Sequence, residues 1–311
     1  MSLPRLASWT VCAVQIKPAL VVEPKSPDSS SRATRRLVSG RLDLAFAADA
    51  DRRSYLQRQY ASYPFHVCRV HYHDTDHPGL TTLYVQSCSG GIYEDDRLDV
   101  TLAAAQGAEA YVSTQAATVV HSMPSGSASQ RVGIKCEGGS YLEYLPDPQI
   151  LFPGARFRSE VAVRLSGNGV ALVSDSFLSH DPAGRDDMFA AYFSEIIIEN
   201  EAGKALAIDR LKVDGLAFRD SCPGLSGRFK AQGTMIVAGL DCPMSGVAAE
   251  LHKIRLDRDV AAIGCSLLPN SAGMLVRVLA ADGAALKLAL HQAWCAARLA
   301  LKGSVPVERR K

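Results

Sequence analysis

Residues 68–77 carry the side chains of this chain that are best suited to bind a transition metal. Three of them are histidines, His71, His73 and His77, and a cysteine begins the segment. Imidazole and thiolate are ligands that nickel, zinc and copper accept at neutral pH. The spacing fits no structural zinc motif, and the Pro-Gly pair at residues 78–79 predicts a surface turn. Two interpretations therefore stay open, a transient metal contact and a solvated histidine-rich loop.

Three consecutive carboxylates, Glu94, Asp95 and Asp96, follow a Gly-Gly pair. Two neighbouring carboxylates can act as acid and base when one raises the pKa of the other, so Asp95 and Asp96 could serve a β-helix-type carbohydrate-active hydrolase. Adjacent strand residues point to opposite faces, however, and Asp commonly caps the turn before a strand. The sequence contains no P-loop, G-x-G-x-x-G or H-E-x-x-H motif. Because no catalytic motif can be recognised, the sequence favours a protein that is not an enzyme.

Two further segments suit a buried or interacting role rather than catalysis. Residues 113–118 (STQAAT) are small, polar and uncharged, which is typical of a tightly packed hydrogen-bonding patch. Residues 145–148 (LPDP) end the strand before them, because each proline removes a backbone donor and fixes φ. Both segments are predicted to lie at strand ends.

The elements that must position these groups are mostly β-strands. Leu98, Val100 and Leu102 alternate with polar residues, which is the period of a half-buried strand. Hairpins are predicted over residues 161–173 and 192–208, each around a glycine-containing turn. Many short strands at close spacing predict a β-rich fold.

Helices are few in this pattern and concentrate near the C-terminus. The strongest prediction is a helix over residues 283–301, with Asp282 as its N-cap and Gly303 ending it. A shorter helix is predicted over residues 246–256. We divide the chain into a polar, mobile leader, residues 1–39, and a single β-rich domain, residues 40–311.

Composition limits the classes of function. The chain has 311 residues, 47% of them hydrophobic, and a net charge of +2, so an ordinary globular core is expected. A net charge this close to zero argues against nucleic acid or an anionic membrane as the main partner. The eight cysteines are scattered, which is typical of free thiols in a reducing compartment. Because the sequence also shows no secretory signal and no membrane-spanning run, it predicts a soluble, cytoplasmic protein.

Several ordered segments resemble the urease accessory protein D family, also called UreD or UreH. The matching residues are Gly90-Gly91-Ile92 with Asp96-Arg97-Leu98, residues 113–118, residues 142–148 with Phe152 and Gly154-Ala155-Arg156, residues 264–269 with 275–277, and Trp294 and Arg298 in the terminal helix. The resemblance covers the chain from about Gly40 onward. It implies a stacked, β-helix-like arrangement of strands with a few helices, including the C-terminal one.

The same resemblance implies a non-enzymatic scaffold for nickel insertion into apo-urease. Family members bind the urease apoprotein subunits and the accessory F protein, which recruits the accessory G GTPase. They are thought to pass nickel through an internal passage, so transient nickel is expected and no permanently bound cofactor. The matching segments suggest Asp96, Glu143 and Asp147 for the nickel path, with His71, His73 and His77 as a secondary set. The motif residues expected to serve partners or structure are Gly90, Gly91, Thr114, Gln115, Pro146, Arg156 and Arg185.

The chain departs from the family pattern at three places. Asp95 stands where the family has glycine, and Val119 and His121 stand where it has lysine and tyrosine. Phe189 and Ala190 replace the Gly-Glu pair that ends the family's G-R-x-x-x-G-E motif. These departures keep a second interpretation open, a divergent paralogue that has lost maturation activity.

Overall fold

The computed structural model describes residues 39–219 and 226–307. The leader predicted for residues 1–39 lies outside this part of the chain except for Ser39, the first residue of strand β1. The described strands are β1 Ser39–Ala48, β2 Ser54–Ala61, β3 Phe65–Val67, β4 Thr81–Ser87, β5 Arg97–Ala104, β6 Glu109–Thr114, β7 Thr118–Val120, β8 Ala128–Cys136, β9 Tyr141–Tyr144, β10 Gln149–Leu151, β11 Arg156–Leu165, β12 Val170–Ser179, β13 Ala191–Glu199, β14 Ala205–Asp214, β15 Ala231–Gly239, β16 Ala261–Leu267 and β17 Gly273–Ala280. The described helices are α1 Gly215–Arg219, α2 Met244–Leu251 and α3 Gly283–Lys302, with a 3-10 turn at Pro269–Ser271.

The strands form two sheets that the chain visits alternately. The first sheet has the order β14-β13-β11-β8-β5-β1-β2, and the main path of the second is β16-β17-β15-β12-β9-β6-β4-β3. From β5 to β12 the main strands leave one sheet for the other, and each pairs in parallel with the strand one coil earlier. The stacked coils resemble a β-solenoid, so the predicted β-helix-like fold is confirmed.

The stacking follows from the apolar alternation of the sequence. Val100, Val132 and Val161 occupy one register position on successive coils, so similar side chains lie above one another. These inward positions form a core between the two sheets. Its branched side chains suit the pleated surface of stacked strands.

One predicted hairpin is wrong and the other is confirmed. β11 belongs to the first sheet and β12 to the second, so the turn at residues 166–169 is a corner between sheets. Gly169 is needed there because a Cβ would lie 2.8 Å from the carbonyl oxygen of Glu137. The predicted hairpin over residues 192–208 is formed by β13 and β14, which pair antiparallel. Turn residues in a sequence predict that the chain changes direction. They do not identify which strands pair with each other.

The outer face of the second sheet is covered by α2 and α3. The Asp282 carboxylate accepts a hydrogen bond from the backbone N–H of Ala285 at 2.8 Å, and Gly303 ends α3 with a φ of 80°. The predicted terminal helix and both of its ends are thus confirmed. The shorter helix occupies residues 244–251 rather than 246–256. Leu286, Ala293 and other small or aliphatic residues of α3 pack onto the sheet in a second core.

Candidate functional site

Two of the segments that resemble the family, residues 90–98 and 113–118, line one cavity between the two sheets. The cavity has a volume of about 430 Å³. Its wall includes Gly90, Gly91, Asp96, Thr114, Gln115, Thr118 and Val119, together with Gln130 and Tyr144 from deeper in the fold. Segments that are 20 to 50 residues apart in the chain meet here because each belongs to a successive coil. We call this space the first cavity.

The glycine pair forms part of the cavity wall by allowing the backbone to approach a neighbouring coil. Gly91 has a φ of 143°, and a Cβ on it would lie 2.5 Å from the carbonyl oxygen of Val119. The backbone N–H of Ile92 donates to that same carbonyl at 2.8 Å. Only glycine fits this conformation at this distance.

Asp96 is the predicted metal residue that lies on the first cavity. Its carboxylate is buried and accepts a hydrogen bond from the backbone N–H of Tyr93 at 2.8 Å. Burial raises the pKa of Asp96, and the neighbouring charge of Asp95 adds to the rise. The Asp95 carboxylate lies close to Gly126. These contacts make Asp96 a turn-capping group that also faces the cavity.

Glu143 occupies a different environment, beneath α3 on the outer side of the second sheet. Its side chain is 0% exposed and accepts hydrogen bonds from the hydroxyl of Tyr141 at 2.7 Å and the indole N–H of Trp294 at 2.8 Å. The Arg298 guanidinium lies 3.7 Å away and also contacts Asp74 at 2.6 Å. Burial raises the pKa of Glu143, and the charge of Arg298 opposes that rise. Glu143 is therefore part of a buried polar cluster that holds α3 against the sheet.

Asp147 lies on a second cavity, of about 440 Å³, between residues 145–148 and the first half of α3. Pro146 is also on its wall, and so is Trp294. The backbone N–H of Asp147 donates to the Thr114 hydroxyl at 2.8 Å, which joins the two family-like loops. Asp96, Glu143 and Asp147 thus face three separate environments, and the structure does not bring them together.

The histidine segment is anchored at several points. The rings of His71 and His73 stack with centroids 4.7 Å apart, so the two side chains share one face. Asp74 is buried, and its carboxylate accepts the backbone N–H groups of Asp76 and His77. The His77 ring lies 3.0 Å from the Ser304 hydroxyl at the end of α3. The segment is thus fastened to the terminal helix rather than being a freely solvated loop.

The remaining predicted residues are spread around the coil. Gln115 accepts a hydrogen bond from the Gln86 side chain at the first cavity. Arg156 is exposed at the start of β11. Arg185 lies in the loop after β12, where it pairs with Asp187 at 2.9 Å.

Two departures from the family pattern preserve local structure. Asp95 has a φ of 70°, in the left-handed region that suits the glycine expected from the family pattern and that Asp tolerates better than most residues. His121 stacks on Tyr93 with ring centroids 4.3 Å apart, so an aromatic contact remains where the family has tyrosine. Val119 lies on the wall of the first cavity, where the family's lysine would place a cation.

The departure at Phe189 lies in a buried core. The Phe189 ring is 2% exposed and contacts Phe177 and Phe218, with centroids 5.8 and 5.9 Å away. The backbone N–H of Ala190 donates a hydrogen bond to the carbonyl oxygen of Ala155 at 2.8 Å. The bulky apolar group therefore fills the interior and does not occupy a surface that a partner could reach.

The left-handed backbone at Asp95 gives a direct test of this interpretation. Asp95→Gly should keep the free energy of unfolding within about 1 kcal/mol, because glycine's greater chain entropy offsets its freedom at positive φ. Asp95→Val should lower it by roughly 2 kcal/mol, since a β-branched residue disfavours this region. Denaturant unfolding followed by circular dichroism measures both.

The matched control for that pair is Asp99→Val, the same substitution at an exposed, extended position of β5. It should be close to neutral, because valine favours strands. Equal losses at positions 95 and 99 would contradict the role of backbone conformation.

A row of inward polar side chains continues from the first cavity through the interior, and the sequence did not point to it. The Gln130 amide donates to the Tyr144 hydroxyl at 3.4 Å on the cavity wall. The charge of Asp175 raises the pKa of Tyr144 further, beyond the larger effect of burial. Burial likewise raises the pKa of Asp209, with Asp175 contributing, and Asp209 pairs with Arg277. We call these five residues the polar row.

Asp175 is the centre of the polar row. It accepts hydrogen bonds from the hydroxyls of Ser159 at 2.9 Å, Tyr192 at 2.7 Å and Ser194 at 2.5 Å. These donors come from β11 and β13 of the first sheet, whereas Asp175 lies on β12 of the second. A carboxylate thus bridges the two sheets beside two clusters of buried apolar residues. The sequence feature that could have indicated this role is the acidic residue of β12, Asp175, at an inward position of the strand.

The described part of the chain holds no closed metal site. Within residues 39–219 and 226–307, no three His, Cys, Asp or Glu side chains are grouped so that they could hold a metal ion. No helix in the same residues is long and apolar enough to cross a membrane.

Comparison with known proteins gives a consistent answer. The sequence pattern of the family described as UreD urease accessory protein matches residues 38–311. "Urease accessory protein UreD 1" of Pseudomonas syringae pv. syringae is 39% identical over 268 residues, which are 86% of this chain and 94% of that protein. The protein of the same name from a Bradyrhizobium species is 34% identical over 288 residues, 92% of this chain and all of the relative. "Urease accessory protein UreD" of Haloarcula marismortui is 32% identical and covers 84% of this chain and 87% of that protein. The chain therefore belongs to the UreD urease accessory protein family.

Proposed function

We propose that this protein is a cytoplasmic, non-enzymatic factor that supports nickel insertion into apo-urease. It binds the urease apoprotein and the accessory F protein, and through the F protein it reaches the accessory G GTPase. The observation that carries the proposal is that two family-like segments, residues 90–98 and 113–118, form the wall of one cavity between the sheets. Nickel is the cargo in this role, and no resident cofactor is needed.

The polar row provides a chemically suitable route for nickel. Its members supply two carboxylates, a phenol and an amide, with the hydroxyls that donate to Asp175 beside them, and the Arg277 guanidinium pairs with Asp209 at the far end. A carrier must release its ion, so dispersed oxygen ligands with open positions suit it better than a closed cage. We infer a path that starts at Asp96, passes Asp175 and ends near Asp209. Glu143 and Asp147 lie off this path, which revises the residues suggested by the sequence.

The hydrolase alternative receives no support from the site. Asp96 faces the first cavity with one carboxylate oxygen committed to the N–H of Tyr93, whereas Asp95 lies against Gly126. The two carboxylates therefore do not frame a common space in which a glycosidic bond could lie.

Capture of partners tests the scaffold role. Immobilised full-length protein should retain the F protein, the G protein only when the F protein is present, and apo-urease. An immobilised protein of similar charge is the control for unspecific adsorption. A folded chain that retains none of the three would overturn the proposal.

Activation of urease separates the main proposal from the paralogue interpretation. Urease produced with the F and G proteins and this chain should gain nickel-dependent activity, and omission of the chain should abolish the gain. Capture of the partners without any gain in activity would identify a divergent paralogue.

A further inference from the structure

Two metal-binding side chains lie next to each other on the terminal helix, away from the polar row. His291 and Cys295 are four residues apart on α3, a spacing that places both on one face of a helix. The Nε2 atom of His291 lies 3.5 Å from the Sγ atom of Cys295. Nitrogen and sulfur therefore already converge on a common point.

The distance fits a shared metal ion. Zinc-type bonds of about 2.0–2.1 Å to nitrogen and about 2.3 Å to sulfur, at a tetrahedral angle, place the two ligand atoms about 3.5–3.6 Å apart. The observed separation needs almost no adjustment to meet this value. Because helix α3 holds both residues on one rigid element, the pair is preorganised for chelation.

Other candidate pairs fit less well. The Cys265 sulfur and the His252 Nε2 atom are 3.9 Å apart, and they come from different elements, β16 and the end of α2. The His71 and His73 rings stack face to face, an arrangement that turns the ring planes toward each other. The α3 pair is the best preformed of the three.

The second cavity leaves space for water ligands on the His291 side of the pair. His291 lies on its wall, Cys295 lies one helical turn further along α3, and the volume of about 440 Å³ can hold several water molecules. Asp147 and Lys287 on the same wall supply one charge of each sign. Burial raises the pKa of the Cys295 thiol, and the charge of Arg298 opposes the rise. A bound cation would displace the thiol proton to solvent.

We propose that His291 and Cys295 form a bidentate site for a borderline divalent cation, Ni²⁺ or Zn²⁺, whose remaining ligands are water molecules that reach it from the second cavity on the His291 side. Mixed imidazole and thiolate ligands suit cations of this class. Two protein ligands make an open site that holds its ion weakly, unlike a structural zinc site. This inference does not depend on the proposed function, because it concerns ligands outside the polar row.

Cobalt titration of the isolated full-length protein tests the site. Co²⁺ bound to a thiolate gives a charge-transfer absorption in the near ultraviolet, which the oxygen ligands of the polar row cannot produce. The parent protein should develop this band as Co²⁺ is added in excess, saturating at about one ion per chain, and addition of Ni²⁺ or Zn²⁺ should reduce it. Cys295→Ser should abolish the band, and His291→Gln should weaken Co²⁺ binding by on the order of 100-fold, since the second ligand acts intramolecularly.

Two control variants make the result specific. Cys265→Ser removes the sulfur of the alternative pair, and Asp175→Asn alters the polar row, and both should retain the band. Persistence of the band in Cys295→Ser, or its loss in Cys265→Ser, would overturn the assignment. Absence of any band in the folded parent would overturn it as well. Circular dichroism of each variant shows whether the fold is kept, and His291→Gln provides a second measurement if Cys295→Ser fails to fold.

Discussion

Glu143→Ala is expected to lower the free energy of unfolding by about 3–5 kcal/mol, the range for breaking a buried ion pair by removing one partner. The change removes the acceptor of the Tyr141 hydroxyl and the Trp294 indole, both in a region without solvent. It also leaves Arg298 with Asp74 as its only carboxylate in the cluster. Guanidinium unfolding followed by tryptophan fluorescence measures the loss, because Trp294 reports directly on the contact between α3 and the sheet.

Two substitutions act as controls for Glu143→Ala. Glu143→Gln keeps an oxygen acceptor and the side-chain volume, so its effect should be smaller, about 1–2 kcal/mol. Asp147→Ala acts in the half-buried loop after the strand and should change stability by less than Glu143→Ala. A stable Glu143→Ala protein that fails to activate urease would contradict the structural role and would return Glu143 to the nickel path.

Asp175→Asn should reduce urease activation at least tenfold, roughly the loss found when a group that supports metal binding is altered. The amide has the shape of the carboxylate but no charge. It should therefore bind a cation at the centre of the polar row more weakly. It also replaces one acceptor oxygen by a donor among the three hydroxyls of Ser159, Tyr192 and Ser194. Urease activity after coexpression with the F and G proteins, measured at several nickel concentrations, gives the effect.

The nickel dependence separates transport from folding in this experiment. A defect in the path should be partly relieved at high nickel, and the variant should still capture its partners. Ser176→Ala is the matched control, because residue 176 follows Asp175 on β12 but points to the opposite face. Normal activation by a folded Asp175→Asn protein at limiting nickel would show that the ion does not pass Asp175.

Local sequence determined the terminal helix, one hairpin and the buried side of strands with apolar alternation. The alternation of Leu98, Val100 and Leu102 fixed which face of β5 is buried, because side chains alternate across a strand. Asp282 and Gly303 fixed the ends of α3 through hydrogen bonding and backbone conformation that act within one turn. The order of the family-like segments also led to the correct family.

Only the tertiary structure decided which strands pair and what each polar residue faces. The turn at residues 166–169 looks like a hairpin in sequence, yet it joins two sheets, because strand partners are chosen by stacking of whole coils. Glu143 was predicted for the nickel path, but α3, about 150 residues later, covers it with Trp294 and Arg298. Asp175 drew no attention in the sequence, since its three partners come from β11 and β13. Local patterns specify periodicity and caps, whereas a polar interior is assembled from residues that only long-range packing brings into contact.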